Sequence, residues 1–411
     1  MLEQMGQKAK AAESALALSS LEQRDEVLLF MARMLREEPQ AVLSANAKDL
    51  AEASELSAAM RDRLLLNEKR LEGLAVAMEE IAALPDPLGR VLFEDTRPNG
   101  LSIRRVAVPL GVVAVIYESR PNVTLDAAAM CLKSGNAVIL RGGKESIRSN
   151  TALAELARQA LKQAGLPEDC VQLVGDTSRE SAMALMKLRG LVDLLIPRGG
   201  RGLIRSALDN ATVPVLQTGE GVCHIYVDKA ADADMAREVT VNAKVSRPSV
   251  CNAAECLLVH RDIAGSVLPD IARALMARGV ELRGDEQALA LVPEMIPAQA
   301  SDWGTEFNDM IMAVRVVGDM DEALLHIKTY GTRHSEAIIT ADLAAARRFL
   351  DSVDAAAVYH NASTRFTDGG EFGFGAEIGI STQKLHCRGP VDVKALTSTK
   401  YVIEGTGQVR G

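Results

Sequence analysis

The stretch Gly111-Val112-Val113-Ala114-Val115-Ile116-Tyr117, with Arg120-Pro121-Asn122-Val123-Thr124 after it and Ala137-Val138-Ile139-Leu140 further on, decides the fold. Residues 112–116 are a continuous apolar run and read as a strand buried on both faces. Residues 125–133 read as a short helix closed by Gly135, and 137–140 as a second strand of the same kind. The alternation continues with a helix over 150–164, ended by Gly165 and Pro167. Strands follow at 171–174 and 192–196, separated by a helix near 181–188. Unbroken apolar strands alternating with amphipathic helices imply a parallel sheet covered on both faces.

On the N-terminal side, residues 1–84 read as helices. Ser20-Leu21-Glu22-Gln23 fits a capping box ahead of the apolar positions Val27, Leu28, Met31 and Leu35. Pro85, Pro87 and Gly89 end that region, and residues 101–106 alternate like a half-exposed strand. After Asp228 the strand–helix alternation resumes. Helices are expected at 233–245 and 263–278, and strands at 255–259, 311–317, 337–339 and 356–359. This predicts a second α/β domain. Residues 368–375 are a glycine-rich loop, and 399–404 a final strand.

The chain has 411 residues, which predicts two or three domains. Hydrophobic residues are 48% and charged residues 25%, ordinary for a soluble globular protein, whereas aromatics at 3% leave Ala, Leu and Val to fill the core. A net charge of −9 argues against a general nucleic-acid binder. The longest apolar run, 106–117, contains Pro109 and Gly111 and is too short to span a bilayer, so no membrane partner is expected. Residues 1–20 hold no apolar signal core, and the six cysteines form no Cys-x-x-Cys pair. Both features suggest reduced thiols in a cytoplasmic protein. The six histidines read as scattered, without metal-ligand spacing, so no metal is expected. No Gly-x-Ser-x-Gly elbow is present.

Four segments carry candidate chemistry. Arg247-Pro248-Ser249-Val250-Cys251-Asn252 sets a thiol at an irregular turn near positive charge, which favours the nucleophilic thiolate. The competing reading is a buried apolar cysteine. Arg198-Gly199-Gly200-Arg201 follows a strand and opens a helix. Such glycines let a backbone approach a phosphate, although a plain strand-to-helix turn has the same composition. Arg141-Gly142-Gly143-Lys144 also ends a strand, and its two cations suit the 2′-phosphate of NADP; a solvated turn is the alternative. Asn122 lies at the carboxyl end of the first strand of the sheet, where ligands bind in open α/β folds, and its carboxamide suits a developing oxyanion. It also suits a helix cap.

Taken together, these segments resemble the aldehyde dehydrogenase superfamily almost end to end. The resemblance also rests on Ile116-Tyr117-Glu118-Ser119-Arg120-Pro121-Asn122, on Gly221-Val222-Cys223-His224-Ile225-Tyr226-Val227-Asp228, and on residues 317–338 and 361–386. Within the superfamily the chain is similar to the branch that reduces an acyl phosphate of glutamate in proline biosynthesis. The resemblance implies an aldehyde dehydrogenase-like α/β fold with two doubly wound domains and a small β oligomerisation flap. The expected bounds are 1–98 and 108–226 for an NADP-binding domain, 227–390 for a catalytic domain, and 99–107 with 391–411 for the flap. The implied reaction is NADPH-dependent reduction of L-glutamate 5-phosphate to L-glutamate 5-semialdehyde with release of phosphate. Cys251 would be the nucleophile and Asn122 an oxyanion donor. Arg141, Gly142, Gly143, Lys144, Arg198, Gly199, Gly200 and Glu306 would hold the cofactor. Arg120, Arg247, Arg365 and Glu377 are candidates for the substrate's charged groups, with structural ion pairs as the alternative for each.

Hydrolytic members of the superfamily carry a water-activating glutamate. The aligned position here is Gln217, and an amide is no general base. That opposes a hydrolytic NAD(P)-dependent aldehyde dehydrogenase, the first alternative; a non-enzymatic partner subunit on the same scaffold is the second. A homo-oligomer, dimer or tetramer, is expected. The lability of an acyl phosphate makes the glutamate 5-kinase that supplies it a candidate partner.

Overall fold

All six residues of the Val112–Tyr117 strand are buried, as an unbroken apolar run requires. The computed structural model describes residues 1–53 and 55–410. Ser54 in the helical region and Gly411 at the end of the expected flap lie outside the described residues. The chain divides into two compact units.

The first unit comprises Met1–Thr218, Gly373–Gly379 and Val391–Gly411. Its parallel sheet runs in the order Val171–Leu173, Ala137–Arg141, Val112–Tyr117, Leu194–Arg198. The helices Val123–Lys133 and Ile147–Gln163 bury their apolar faces beside it. The N-terminal helices add a further layer. Helix Leu21–Glu37 begins with the capping box, in which the Gln23 N–H donates to Ser20 Oγ (3.3 Å) and the Ser20 N–H to Gln23 Oε1 (3.2 Å). Val27, Leu28, Met31 and Leu35 form its buried stripe. Charges buried here are paired: Arg24 grips both carboxylate oxygens of Asp86 at 2.8 Å, and Lys133 reaches Asp25 at 2.6 Å.

A three-stranded antiparallel sheet completes this unit, with Ser102–Pro109 between Val91–Thr96 and Thr397–Glu404. The sequence indicated the second and third strands. Val91–Thr96 went unread because Val-Leu-Phe-Glu-Asp-Thr neither alternates nor stays apolar, and it is largely exposed. Val91, Leu92, Phe93, Tyr401 and Ile403 are exposed apolar side chains on this sheet.

The second unit comprises Gly219–Phe372 and Ile380–Pro390. Seven parallel strands run in the order Ile296–Pro297, Glu281–Gly284, Ile311–Val317, Ala254–His260, Cys223–Val227, Ser335–Ile339, Ala357–His360. One face packs Ile225, Leu257 and Val314 against Ala236, Ala243, Leu268 and Ile271 from the helices Ala233–Val245 and Arg261–Met276. The other packs Tyr226, Leu258 and Ile338 against Ile327 and Phe349 from the helices Met320–Tyr330 and Leu343–Ser352. The unit break follows Thr218, whereas the expected boundary at 226/227 would cut the Cys223–Val227 strand. Hydrogen bonding to Ala254–His260 and Ser335–Ile339 commits that strand to the second sheet.

Replacing Ser20 with alanine removes a bond to an orphan helix N–H and is expected to cost about 0.5–2 kcal/mol, read as a lower urea midpoint. An unchanged midpoint would show that the box contributes nothing.

Candidate active site

Cys251 lies in the turn between the Ala233–Val245 helix and the Ala254–His260 strand, where the Ala253 N–H closes onto the Val250 carbonyl at 3.0 Å. It is half-buried, whereas Cys131, Cys170, Cys223 and Cys256 are buried. Burial pushes the Cys170 thiol up to about 12 and also raises the thiols of Cys131, Cys223 and Cys256, which keeps them protonated.

The residue after the thiol fixes this turn. Asn252 donates from Nδ2 to the carbonyls of Thr367 (2.9 Å) and Arg365 (3.3 Å), and its own carbonyl accepts from Thr364 Oγ1 at 2.7 Å. Arg365 donates in return to Asn252 Oδ1 and, through Nε, to Ser246 Oγ at 3.0 Å. Partial burial depresses the Arg365 pKa and the charge of Arg247 adds to the effect, while Asp368 and the Cys251 thiolate oppose it. The second unit thus brings Arg365, distant in the sequence, to the segment that holds Arg247 and Cys251.

Gly221 meets the turn from the other side. A Cβ on residue 221 would lie 1.4 Å from the Cys251 carbonyl oxygen, so only glycine fits. The Gly221 N–H donates to Glu306 Oε1 (2.8 Å), the Val222 N–H to Thr332 Oγ1 (3.0 Å), and the Cys223 thiol to the Cys251 carbonyl (3.2 Å). Glu306 therefore joins the same group of side chains.

Beneath this lies a buried polar cluster that the sequence did not reveal. Glu336 Oε2 accepts from the His224 backbone N–H (2.8 Å) and from its ring Nδ1 (2.9 Å). His224, Cys256 and His326 offer ligand atoms within 4.8 Å of one another, which corrects the expectation that the histidines are scattered. Parallel strands and the Met320–Tyr330 helix converge residues distant in sequence. The cluster is nevertheless a poor metal cage. Arg315 Nη1 lies 3.1 Å from His326 Nδ1 and can only donate, and burial holds the His326 pKa at about 3. The proton of the neutral ring therefore sits on Nε2, facing Cys256 Sγ at 3.6 Å where a metal would need a lone pair.

The remaining site candidates lie in the first unit. Asn122 precedes the Val123–Lys133 helix, but its side chain makes no cap bond; Nδ2 donates to Asp126 Oδ2 at 2.8 Å. Arg120 is half-buried in the same turn, and Glu377 is half-buried in the Gly373–Gly379 segment. Arg198 ends its strand and approaches Gly379. Arg141 is buried and donates through Nη2 to the carbonyls of Thr177 (2.6 Å) and Ser178 (2.8 Å), while Lys144 is exposed.

The flanks of the candidate cofactor glycines differ from one another. The space beside Gly142 is filled by the Asn150 carboxamide, that beside Gly143 by the Glu145 carboxylate, and that beside Gly199 by the Glu118 carboxylate. These three glycines make room for the chain's own side chains. Gly200 differs: a Cβ there would meet Glu118 Oε2 at an ordinary 3.8 Å, and its N–H donates to that oxygen at 2.9 Å. An anionic oxygen already occupies that N–H at the start of the Arg201–Asn210 helix.

Residues 2–288 match the aldehyde dehydrogenase family. The chain is 57% identical over 409 residues to a gamma-glutamyl phosphate reductase of Carboxydothermus hydrogenoformans, covering 99% of each. It is 56% identical over 407 residues to one of Moorella thermoacetica, covering 98% of this chain and 97% of the other. The crystal structure of gamma-glutamyl phosphate reductase from Thermotoga maritima aligns with a TM-score of 0.98 at 46% identity, covering 99% of both chains.

Iodoacetamide is expected to alkylate Cys251 in the native protein while the four buried thiols stay unmodified, as read by peptide mapping. Labelling of Cys223 or Cys256 at the same rate would contradict the burial described here.

Proposed function

Since the chain belongs to the aldehyde dehydrogenase family, among its gamma-glutamyl phosphate reductases, and so is an oxidoreductase of proline biosynthesis, we propose a mechanism that runs through a thioester on Cys251. The observation that carries it is the half-buried Cys251 thiol in a pinned turn beside Arg247 and Arg365. In this reading the thiolate attacks the γ-carbonyl of L-glutamate 5-phosphate. The carbon–oxygen bond to phosphate breaks, phosphate leaves with the electron pair, and the acyl group remains on sulfur. The Asn122 carboxamide and the Cys251 backbone N–H donate to the tetrahedral oxyanion, where loss of one donor typically costs about 2.7–4 kcal/mol of barrier.

When bound, NADPH would supply the hydride to the thioester carbon; the carbon–sulfur bond then breaks, the aldehyde is released and the Cys251 thiolate is restored. For the 2′-phosphate of NADPH the reading assigns Lys144, exposed at the end of its strand, with Arg141 beside it. The Gly200 N–H, next to Gly199 and Arg198, already holds a carboxylate oxygen and suits a phosphate equally. Gly142 and Gly143 shape the neighbouring turn, and Glu306 is assigned to the ribose. For the substrate, Arg120, Arg247 and Arg365 are matched to carboxylate and phosphate, and Glu377 to the ammonium. At Gln217 an amide stands where hydrolytic relatives need a base, which protects the thioester from water.

The exposed apolar side chains of the antiparallel sheet suit burial against a second copy of the chain. A dimer or tetramer by light scattering supports that assignment, and a monomer at micromolar concentration opposes it. Channelling from a glutamate 5-kinase, in the cytoplasm, follows from the lability of the acyl phosphate. A coupled rate no better than with an unrelated reductase would exclude it.

Cys251→Ser is expected to lower turnover by about 10³-fold or more while NADPH affinity stays within a few-fold. In the reverse direction, with glutamate semialdehyde and NADP, parent-enzyme turnover should require phosphate. Near-normal turnover in the variant, or robust oxidation without phosphate, would overturn the mechanism.

A further inference from the structure

We infer that Asp126 is the positioning residue for Asn122, fixing which end of the carboxamide faces the reacting oxygen; the inference rests on the reading of Asn122 as an oxyanion donor. Asn122 has helical backbone angles (φ −56°, ψ −32°), so it continues the first turn of the Val123–Lys133 helix. Residues four apart on a helix share a face. The geometry brings Asn122 Nδ2 to 2.8 Å from Asp126 Oδ2.

The chemistry of the partner makes this bond directional. A carboxamide is nearly symmetric in shape, with an NH2 donor at one end and an oxygen acceptor at the other. An ionised carboxylate only accepts, so it admits the NH2 end and rejects the oxygen. One Nδ2 hydrogen is then engaged by Asp126, and the second remains to donate to a developing negative charge. With the oxygen end presented instead, the same side chain would repel that charge.

The charged side chain bearing on Asp126 is Arg198, from the end of the Leu194–Arg198 strand. Burial raises the Asp126 carboxyl to about 6, against the Asn122 hydrogen bond and the Arg198 charge, which both favour the ionised form. The sign follows. Above about pH 6 the carboxylate selects the productive orientation. Below it the neutral carboxyl carries an O–H that donates equally well to Asn122 Oδ1, the selection is lost, and turnover falls.

The test is a set of variants assayed in the reverse direction with glutamate semialdehyde, NADP and phosphate. Asn122→Ala should lower kcat by about 10²-fold or more, as for other oxyanion donors. Asp126→Ala should lower kcat by about 10-fold or more with KM changed less than about two-fold, and should add under about two-fold in the Asn122→Ala background. Asp126→Asn retains an acceptor but does not titrate. Its amide donates as well as accepts, like the protonated carboxyl, so it should hold kcat at pH 8 near the low value the parent reaches below pH 6, with KM little changed, and lose the acid limb that the parent shows. It also serves as the cycle partner if the alanine variant does not fold. An equal loss from Asp126→Ala in both backgrounds would mark a merely structural role and overturn the inference, as would an unaltered acid limb in Asp126→Asn. An unchanged kcat in Asn122→Ala would instead remove the oxyanion role of Asn122 on which the inference stands.

Discussion

The constraint on which the Cys251 turn depends is a backbone contact. The Cys251 carbonyl oxygen occupies the space where any side chain at residue 221 would begin, 1.4 Å from an ideal Cβ. The absence of that carbon lets the turn before Ala254–His260 lie against the start of the Cys223–Val227 strand. Once there, it is held by directional bonds: the Cys223 thiol donates to its carbonyl, and Asn252 ties it to Thr364, Arg365 and Thr367. Preorganisation of this kind is what a covalent mechanism requires, because a nucleophile displaced by about 1 Å loses much of its rate.

Two layers support the turn. Arg365 is bonded to the residues flanking Cys251 while it remains close enough to act on the thiol electrostatically. Deeper, Glu336 ties the adjacent strands Cys223–Val227 and Ser335–Ile339 through two bonds to His224, in an interior where an unpaired carboxylate would be costly. The neutral, Arg315-oriented His326 and the protonated Cys256 complete the buried cluster without a net cation site. The second sheet thus carries buried polar side chains at the end next to the Cys251 turn.

Much of this was legible in the sequence. Val112–Tyr117 and Ala137–Arg141 announce themselves because buried parallel strands must be apolar throughout. Arg247-Pro248-Ser249-Val250-Cys251-Asn252 was readable because a thiol beside a cation at an irregular turn has a short list of uses. What escaped depended on tertiary pairing. Cys223–Val227 has a strand's burial, but His224 and Tyr226 break the apolar pattern, and they are tolerable only because Glu336 and Phe349 meet them across the fold. The sequence offered the glycines at 142, 143 and 199 as cofactor contacts, and in the fold each leaves a space on its flank. Nothing local says that Asn150, Glu145 and Glu118 fill them. Asp126 was invisible for the same reason, since an acid in the first turn of a helix ordinarily serves the helix dipole.

The account stands on an acyl group carried by one sulfur, and the most direct measurement is to catch it there. Incubation with glutamate semialdehyde and NADP in the absence of phosphate should strand the acyl enzyme. Intact-mass and peptide analysis should then place a single hydroxylamine-labile glutamyl adduct on Cys251. No adduct, or one on a different residue, would contradict the account.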